Sequence, residues 1–140
     1  MIKWIAKNIG VDAGMIIIAD ADYFEEKLKS RRYSFVDVDA GNYNLYWNIK
    51  DTWNGPLKGT ERIEIPSGRL IISDPCYLIP DKDWQDWLDK TYYGKYVEGN
   101  AIIINSMGGD GTYDVEFSLS VLRALIASSI KKLKKNENRI

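Results

Sequence analysis

Residues 9–24 read IGVDAGMIIIADADYF, and residues 63–78 read IEIPSGRLIISDPCYL. Aligned without gaps, the two stretches share Ile9/Ile63, Gly14/Gly68, Ile17/Ile71, Ile18/Ile72, Asp20/Asp74 and Tyr23/Tyr77. The common pattern is a glycine, an apolar strand, an aspartate and then a tyrosine. Internal similarity of this kind constrains architecture more than local propensity does, because each copy specifies the same supersecondary unit.

The similarity extends outward. Residues 41–49, GNYNLYWNI, resemble residues 111–119, GTYDVEFSL: Gly41 and Tyr43 match Gly111 and Tyr113, and Leu45, Trp47 and Ile49 match Val115, Phe117 and Leu119. Apolar residues at every second position predict half-buried strands. Two related β units therefore cover about 9–49 and 63–119, with further strands expected at Ser34–Asp39 and Ala101–Asn105. The inserts differ. Phe24–Arg32, FEEKLKSRR, is charged and forms a short helix at best. Pro80–Leu88, PDKDWQDWL, predicts a helix starting near Trp84, capped by Asp81 or Asp83, with Trp84, Trp87 and Leu88 on one face. The connection 50–62 contains Asn54-Gly55-Pro56 and Gly59 and reads as a loop or long hairpin. Beyond it, Leu119, Leu122, Ile126, Ile130 and Leu133 recur at helical spacing, which predicts an amphipathic C-terminal α-helix over 119–135, capped by Ser118 or Ser120. The expected fold is one domain over 1–140, mainly β: an antiparallel sandwich or partly open barrel closed by that helix. A split α+β sheet is the alternative.

Composition narrows the chemistry. The 140 residues are 45% hydrophobic, enough for a sizeable core, and the formal net charge is −1. A chain without basic excess is not expected to bind nucleic acid. Its one basic concentration, Lys131, Lys132, Lys134, Lys135 and Arg139, reads as a solvated helix end. There is no histidine, so His-dependent triads and His-containing zinc sites are excluded. The single cysteine, Cys76, excludes an intramolecular disulfide and fits a reducing cytoplasm. The apolar runs are too short to span a bilayer, and no segment has the form of a signal peptide. A cytoplasmic protein with no membrane partner is expected.

Two motifs carry the candidate site residues. In the first, Gly68 permits a turn, Pro75 ends the strand, and Asp74 accepts a backbone N–H two residues ahead, with the Tyr77 ring over the corner. Asp20 and Tyr23 hold the corresponding places in the first unit, where Ala21 replaces the proline. The competing reading makes Asp20 and Asp74 symmetry-related site carboxylates. The second motif, Gly108-Gly109-Asp110-Gly111-Thr112-Tyr113, predicts a tight hairpin turn; its alternative is an anion nest or a hard-cation site at Asp110. It lacks the Lys-Ser/Thr of a P-loop. Asp20/Asp22 and Asp37/Asp39 are alternate strand residues, read as exposed edge carboxylates, with Ca2+ or Mg2+ binding as the alternative; no cofactor is expected. Cys76, lacking a histidine partner, reads as a packed thiol. The aromatic set Trp47, Trp53, Trp84, Trp87, Tyr92, Tyr93 and Tyr96 reads mostly as core, its excess as a recognition surface.

The strand SGRLIISDPCY (67–77) followed by GDGTYDV (109–115) resembles a group of small uncharacterised proteins of bacterial and phage genomes. Their recurring pattern is a strand ending in Asp-Pro-x-Tyr and a Gly-Asp-Gly-x-Tyr turn. The resemblance covers mainly 65–119 and implies no catalytic residues; the first unit departs from it at Ala21 and at Asp39-Ala40-Gly41. Three functional classes follow: a non-catalytic binding module with a protein or small-molecule partner, such as a host factor; a carboxylate-based, metal-dependent hydrolase; and a self-assembling homo-oligomer.

Overall fold

The computed structural model describes residues 2–25, 27–51, 55–105 and 110–122. Its strands are β1 (Ile2–Val11), β2 (Ile16–Asp20), β3 (Ser34–Asp37), β4 (Gly41–Asp51), β5 (Gly55–Ile65), β6 (Arg69–Ser73), β7 (Ala101–Ile104) and β8 (Gly111–Val121), with one α-helix, α1 (Asp81–Lys90). They form two antiparallel four-stranded sheets, ordered β1-β8-β4-β5 and β3-β6-β2-β7. The fold is mainly β and sandwich-like.

The two sheets bury differently, and their sequences say why. In the first sheet the apolar partners of the period-two pattern, Tyr43, Leu45 and Ile49 with Tyr113, Val115, Phe117 and Leu119, turn to the core, while Asn42, Tyr46, Thr112 and Asp114 face outward. The second sheet is covered on both faces, so β2 reads as an unbroken apolar run and every residue from Met15 to Asp20 is buried. Ile16, Ile18, Leu70, Ile72, Ile102 and Ile104 point toward the first sheet. Met15, Ile17, Ala19, Ile71 and Ala101 point the other way, into a second core with Phe24, Leu78, Ile79, Trp87 and Leu88. The result is three layers: sheet, sheet, and a cover of α1 and turns.

Exchanging β1 with β5, β2 with β6, β3 with β7 and β4 with β8 maps each sheet order onto itself. The registers obey the same exchange. Ile18 faces Ile72 and Trp47 faces Phe117, so a pseudo-twofold axis passes through these two pairs. Ile9 faces Tyr113 as Ile63 faces Tyr43, and Ile17 faces Ile103 as Ile71 faces Phe35. Each of the six strand pairings joins a strand of 1–51 to a strand of 55–122. Among the described residues neither half contains a hydrogen-bonded strand pair of its own, so its strand edges are paired by the other.

Several expectations change. The helix begins at Asp81 rather than near Trp84; Pro80 is its N-cap residue without a side-chain bond, and Asp81 and Asp83 lie in its first turn. The 3-10 turn Ala21–Phe24 ends where the charged insert begins, and 27–33 are irregular, with the Lys29 N–H donating across the chain to Leu78 O. The Gly-Asp-Gly segment does not close a hairpin, since β7 and β8 lie in different sheets. Residues 119–121 are strand, not helix, because β8 pairs with β4 as far as Val121 opposite Tyr43; the rest of the expected C-terminal helix, and Trp53, lie outside the described residues. The 50–62 connection is a long hairpin, Gly41 opposite Ile65 and Asp51 opposite Gly55. Among the described residues no helix is long and apolar enough to cross a membrane.

The interleaving predicts fragment behaviour. Residues 1–53 and 54–140, expressed separately, will each lack a cooperative thermal transition by circular dichroism, and mixing them will restore β signal. A cooperative transition in either fragment alone would contradict the pairing described above.

Candidate functional site

The paired aspartates act across the two halves. Asp20 is fully buried; its Oδ1 accepts the Asp22 N–H at 2.8 Å, and its Oδ2 accepts the Ser67 N–H at 3.0 Å and hydroxyl at 2.7 Å. Asp74 is also fully buried; its Oδ1 accepts the Cys76 N–H at 2.9 Å, and its Oδ2 accepts the N–H groups of Asp12 at 2.8 Å and Ala13 at 2.7 Å. Each carboxylate thus organises its own strand-end turn and holds the other half's turn between the two sheets, β1–β2 for Asp74 and β5–β6 for Asp20. Those turns place Gly14 and Gly68 at the same positive φ of 73°, a conformation that only glycine adopts without steric cost. The two carboxylates stand at opposite ends of the β2–β6 pair, about 13 Å apart along the strand at ~3.3 Å per residue, and do not converge on a shared cleft.

The paired tyrosines part company. The Tyr23 hydroxyl accepts the Trp87 indole N–H at 2.8 Å, and burial pushes its phenol above the usual range. The Tyr77 hydroxyl donates to the Asp12 carboxylate, which, with burial, raises its pKa to about 12. The Arg32 guanidinium lies over the Tyr77 ring, 3.8 Å from its centroid. Tyr113 is buried opposite Ile9, Asp110 is exposed ahead of β8, and Asp37 pairs with Arg69 at 2.7 Å. Among the described residues no cluster of three or more Cys, Asp or Glu is arranged to hold a metal ion. Trp84 stacks on Trp87, whereas Tyr92, Tyr93 and Tyr96 are exposed beyond α1.

One gap between the sheets distinguishes the halves. On one side the edge strands of the two sheets are bridged by the Glu64 N–H to the Gly99 carbonyl, at 3.0 Å. The matching positions on the other side are Gly10 and Arg31, and among the described residues no backbone bond joins them. There β1 also carries a bulge: Ala6 faces Val115 and Ile9 faces Tyr113, whereas β5 runs in even register. Asn8 in the bulge has φ of 56°, and its N–H reaches Asp114 Oδ1 at 2.9 Å. Bulges concentrate at sheet edges and beside functional sites.

The opening is a groove of about 320 Å3 lined by residues that include Asn8, Gly10, Arg31, Arg32, Tyr33 and Tyr77. The arginine segment is pinned to the second half's turn. The Lys29 N–H donates to Leu78 O at 2.9 Å, the Ser30 hydroxyl to Tyr77 O at 2.6 Å, and the Ser73 hydroxyl to Arg32 O at 2.9 Å. Of the residues singled out from sequence, only Tyr77 lies in this groove. Arg31, Arg32, Tyr33 and Asn8 were not singled out: the two arginines lay inside an insert that read as a charged short helix at best.

No family model, curated protein or solved structure matches the chain.

Two predictions follow from the geometry. Asp20→Asn and Asp74→Asn each turn an amide NH2 toward N–H donors, and each will lower stability by about 3 kcal/mol in urea unfolding; a loss below about 0.5 kcal/mol would show that the cross-half bonds do not hold the β1–β2 and β5–β6 turns. Burial, reinforced by the Asp74 carboxylate, pushes the Cys76 thiol up to about 12. In the unfolded chain a cysteine ionises near ~8.5 and a tyrosine near ~10. Cys76 and Tyr77 therefore contribute stability that is intact below those values and lost as pH rises toward about 12. At pH 8 a disulfide reagent will label native Cys76 far more slowly than the urea-unfolded chain; equal rates would contradict this environment.

Proposed function

We propose that this protein is a non-catalytic, cytoplasmic binding module that captures its partner in the groove between β1 and residues 31–34. The observation that carries the reading is the break in symmetry. The same gap is closed by a backbone bond at Glu64–Gly99 and left open, with a bulge and two guanidinium groups, at Gly10–Arg31. A bulge and an open edge do nothing for packing, so their presence on one side only is best explained by use. We further propose that the two halves descend from one duplicated unit, of which one copy kept its structural role while the other acquired the site. The resemblance of 65–119 to small bacterial and phage proteins supports a partner in the bacterial cell.

A carboxylate-based hydrolase gains no support from Asp20 and Asp74. Each spends both oxygens on turn donors, and the two lie at opposite ends of the β2–β6 pair.

A groove-filling substitution tests the reading. A Cβ at Gly10 would sit 3.3 Å from the Tyr77 hydroxyl and 3.8 Å from an Arg32 nitrogen, so Gly10→Val crowds the two side chains that wall the groove. Affinity capture from bacterial lysate with the native chain will retain a species that the folded Gly10→Val protein does not. Equal capture by both would place the binding surface elsewhere.

A further inference from the structure

We infer that the groove takes an oxyanion, a phosphate or a carboxylate, carried on an organic body; this rests on the reading of the groove as the binding site. Its lining contains the guanidinium groups of Arg31 and Arg32 and no carboxylate. The surrounding cations are already paired, Lys29 with Asp81 at 2.7 Å and Arg69 with Asp37 at 2.7 Å. Among the described residues neither Arg31 nor Arg32 has an acidic partner within ion-pair distance. Arg32 has the Tyr77 ring but no ion pair, and two neighbouring cations repel each other, so a bound anion would relieve that repulsion.

The groups are also preorganised. Arg32 lies over the ring of Tyr77, whose hydroxyl is anchored on Asp12, and its backbone carbonyl is held by Ser73. A fixed planar guanidinium presents parallel N–H donors at the spacing of two oxygens of one anion. Holding it in place beforehand removes most of the ordering cost of binding. Tyr33, Ser34 and Thr112 line the same groove. Asp12, the carboxylate nearest to Tyr77, is turned to that hydroxyl and is not part of the lining.

The organic body has a place as well. Arg31 and Tyr33 also line an adjoining open cavity of about 1050 Å3 whose wall includes Leu28 and Ile71. An anion held at Arg31 and Arg32 can therefore extend its remainder past Tyr33 into this cavity, whose wall also carries Asp22, Glu25, Lys29 and Arg69.

The test is an NMR titration of the full chain at low salt with four probes: inorganic phosphate, phenyl phosphate, phenylacetate and neutral benzyl alcohol. The expected result is saturable movement of the amides of Asn8–Gly10 and Arg31–Ser34 with the anions, phenyl phosphate binding more tightly than inorganic phosphate. Arg31→Gln and Arg32→Gln will each weaken binding about tenfold, whereas Arg31→Lys, which keeps the charge, will weaken it less and guards against misfolding of the glutamine variants. Tighter phenyl phosphate assigns a phosphate ligand, and tighter phenylacetate a carboxylate. Binding unchanged in a folded Arg31→Gln/Arg32→Gln double variant overturns the inference. If benzyl alcohol moves the groove amides and the anions do not, the groove still binds but its ligand is not an anion. If no probe moves them, the groove reading falls as well.

Discussion

Two buried carboxylates tie this fold together. Asp20 and Asp74 each sit at the end of a central strand, fully excluded from solvent, and each reaches into the turn that joins the two sheets in the opposite half. An ionised carboxylate in such a place is tolerable only when its oxygens are saturated with donors. Here each receives three. The donors are backbone N–H groups at turn positions plus one serine hydroxyl, so the bonds orient backbone rather than side chains. Because the arrangement is reciprocal, displacing either aspartate releases a turn in both halves at once.

That reciprocity matches the wider topology. A chain whose every described strand pairing crosses between halves cannot accumulate stability one half at a time. Long-range pairing must close large loops before any ladder bond is made, and the expected consequence is slow, cooperative folding. The continuous apolar strands Met15–Ala19 and Leu70–Ile72 suit this scheme. Buried on both faces, they serve the core between the sheets with one set of side chains and the core beneath α1 with the other.

Symmetry also shows where function has a place. The inserts after Asp20 and Asp74 differ most: one supplies α1 and covers the second core, the other supplies an irregular run from Lys27 to Tyr33 that is tied down by bonds to Tyr77 and Leu78. The guanidinium pair therefore lies where the first half's insert, the second half's turn and the bulged β1 meet. Each of the three differs from its symmetry counterpart.

The sequence by itself determined the two units, the period-two strands at 41–49 and 111–119, the role of Asp20 and Asp74 as acceptors two residues ahead, and the amphipathic face of α1. These are local consequences of spacing, turn chemistry and one-sided burial. Only the tertiary structure decided which strands pair, because a strand's pattern shows that a face is buried but not which neighbour buries it. It alone revealed that Asp74 reaches Asp12 and Ala13, sixty residues away in sequence. It placed 119–121 in a strand, where pairing with β4 outweighed helical periodicity, and it turned Arg31 and Arg32 from an unremarkable charged insert into the wall of a groove. Those outcomes depend on contacts between segments far apart in the chain, and no local pattern encodes them.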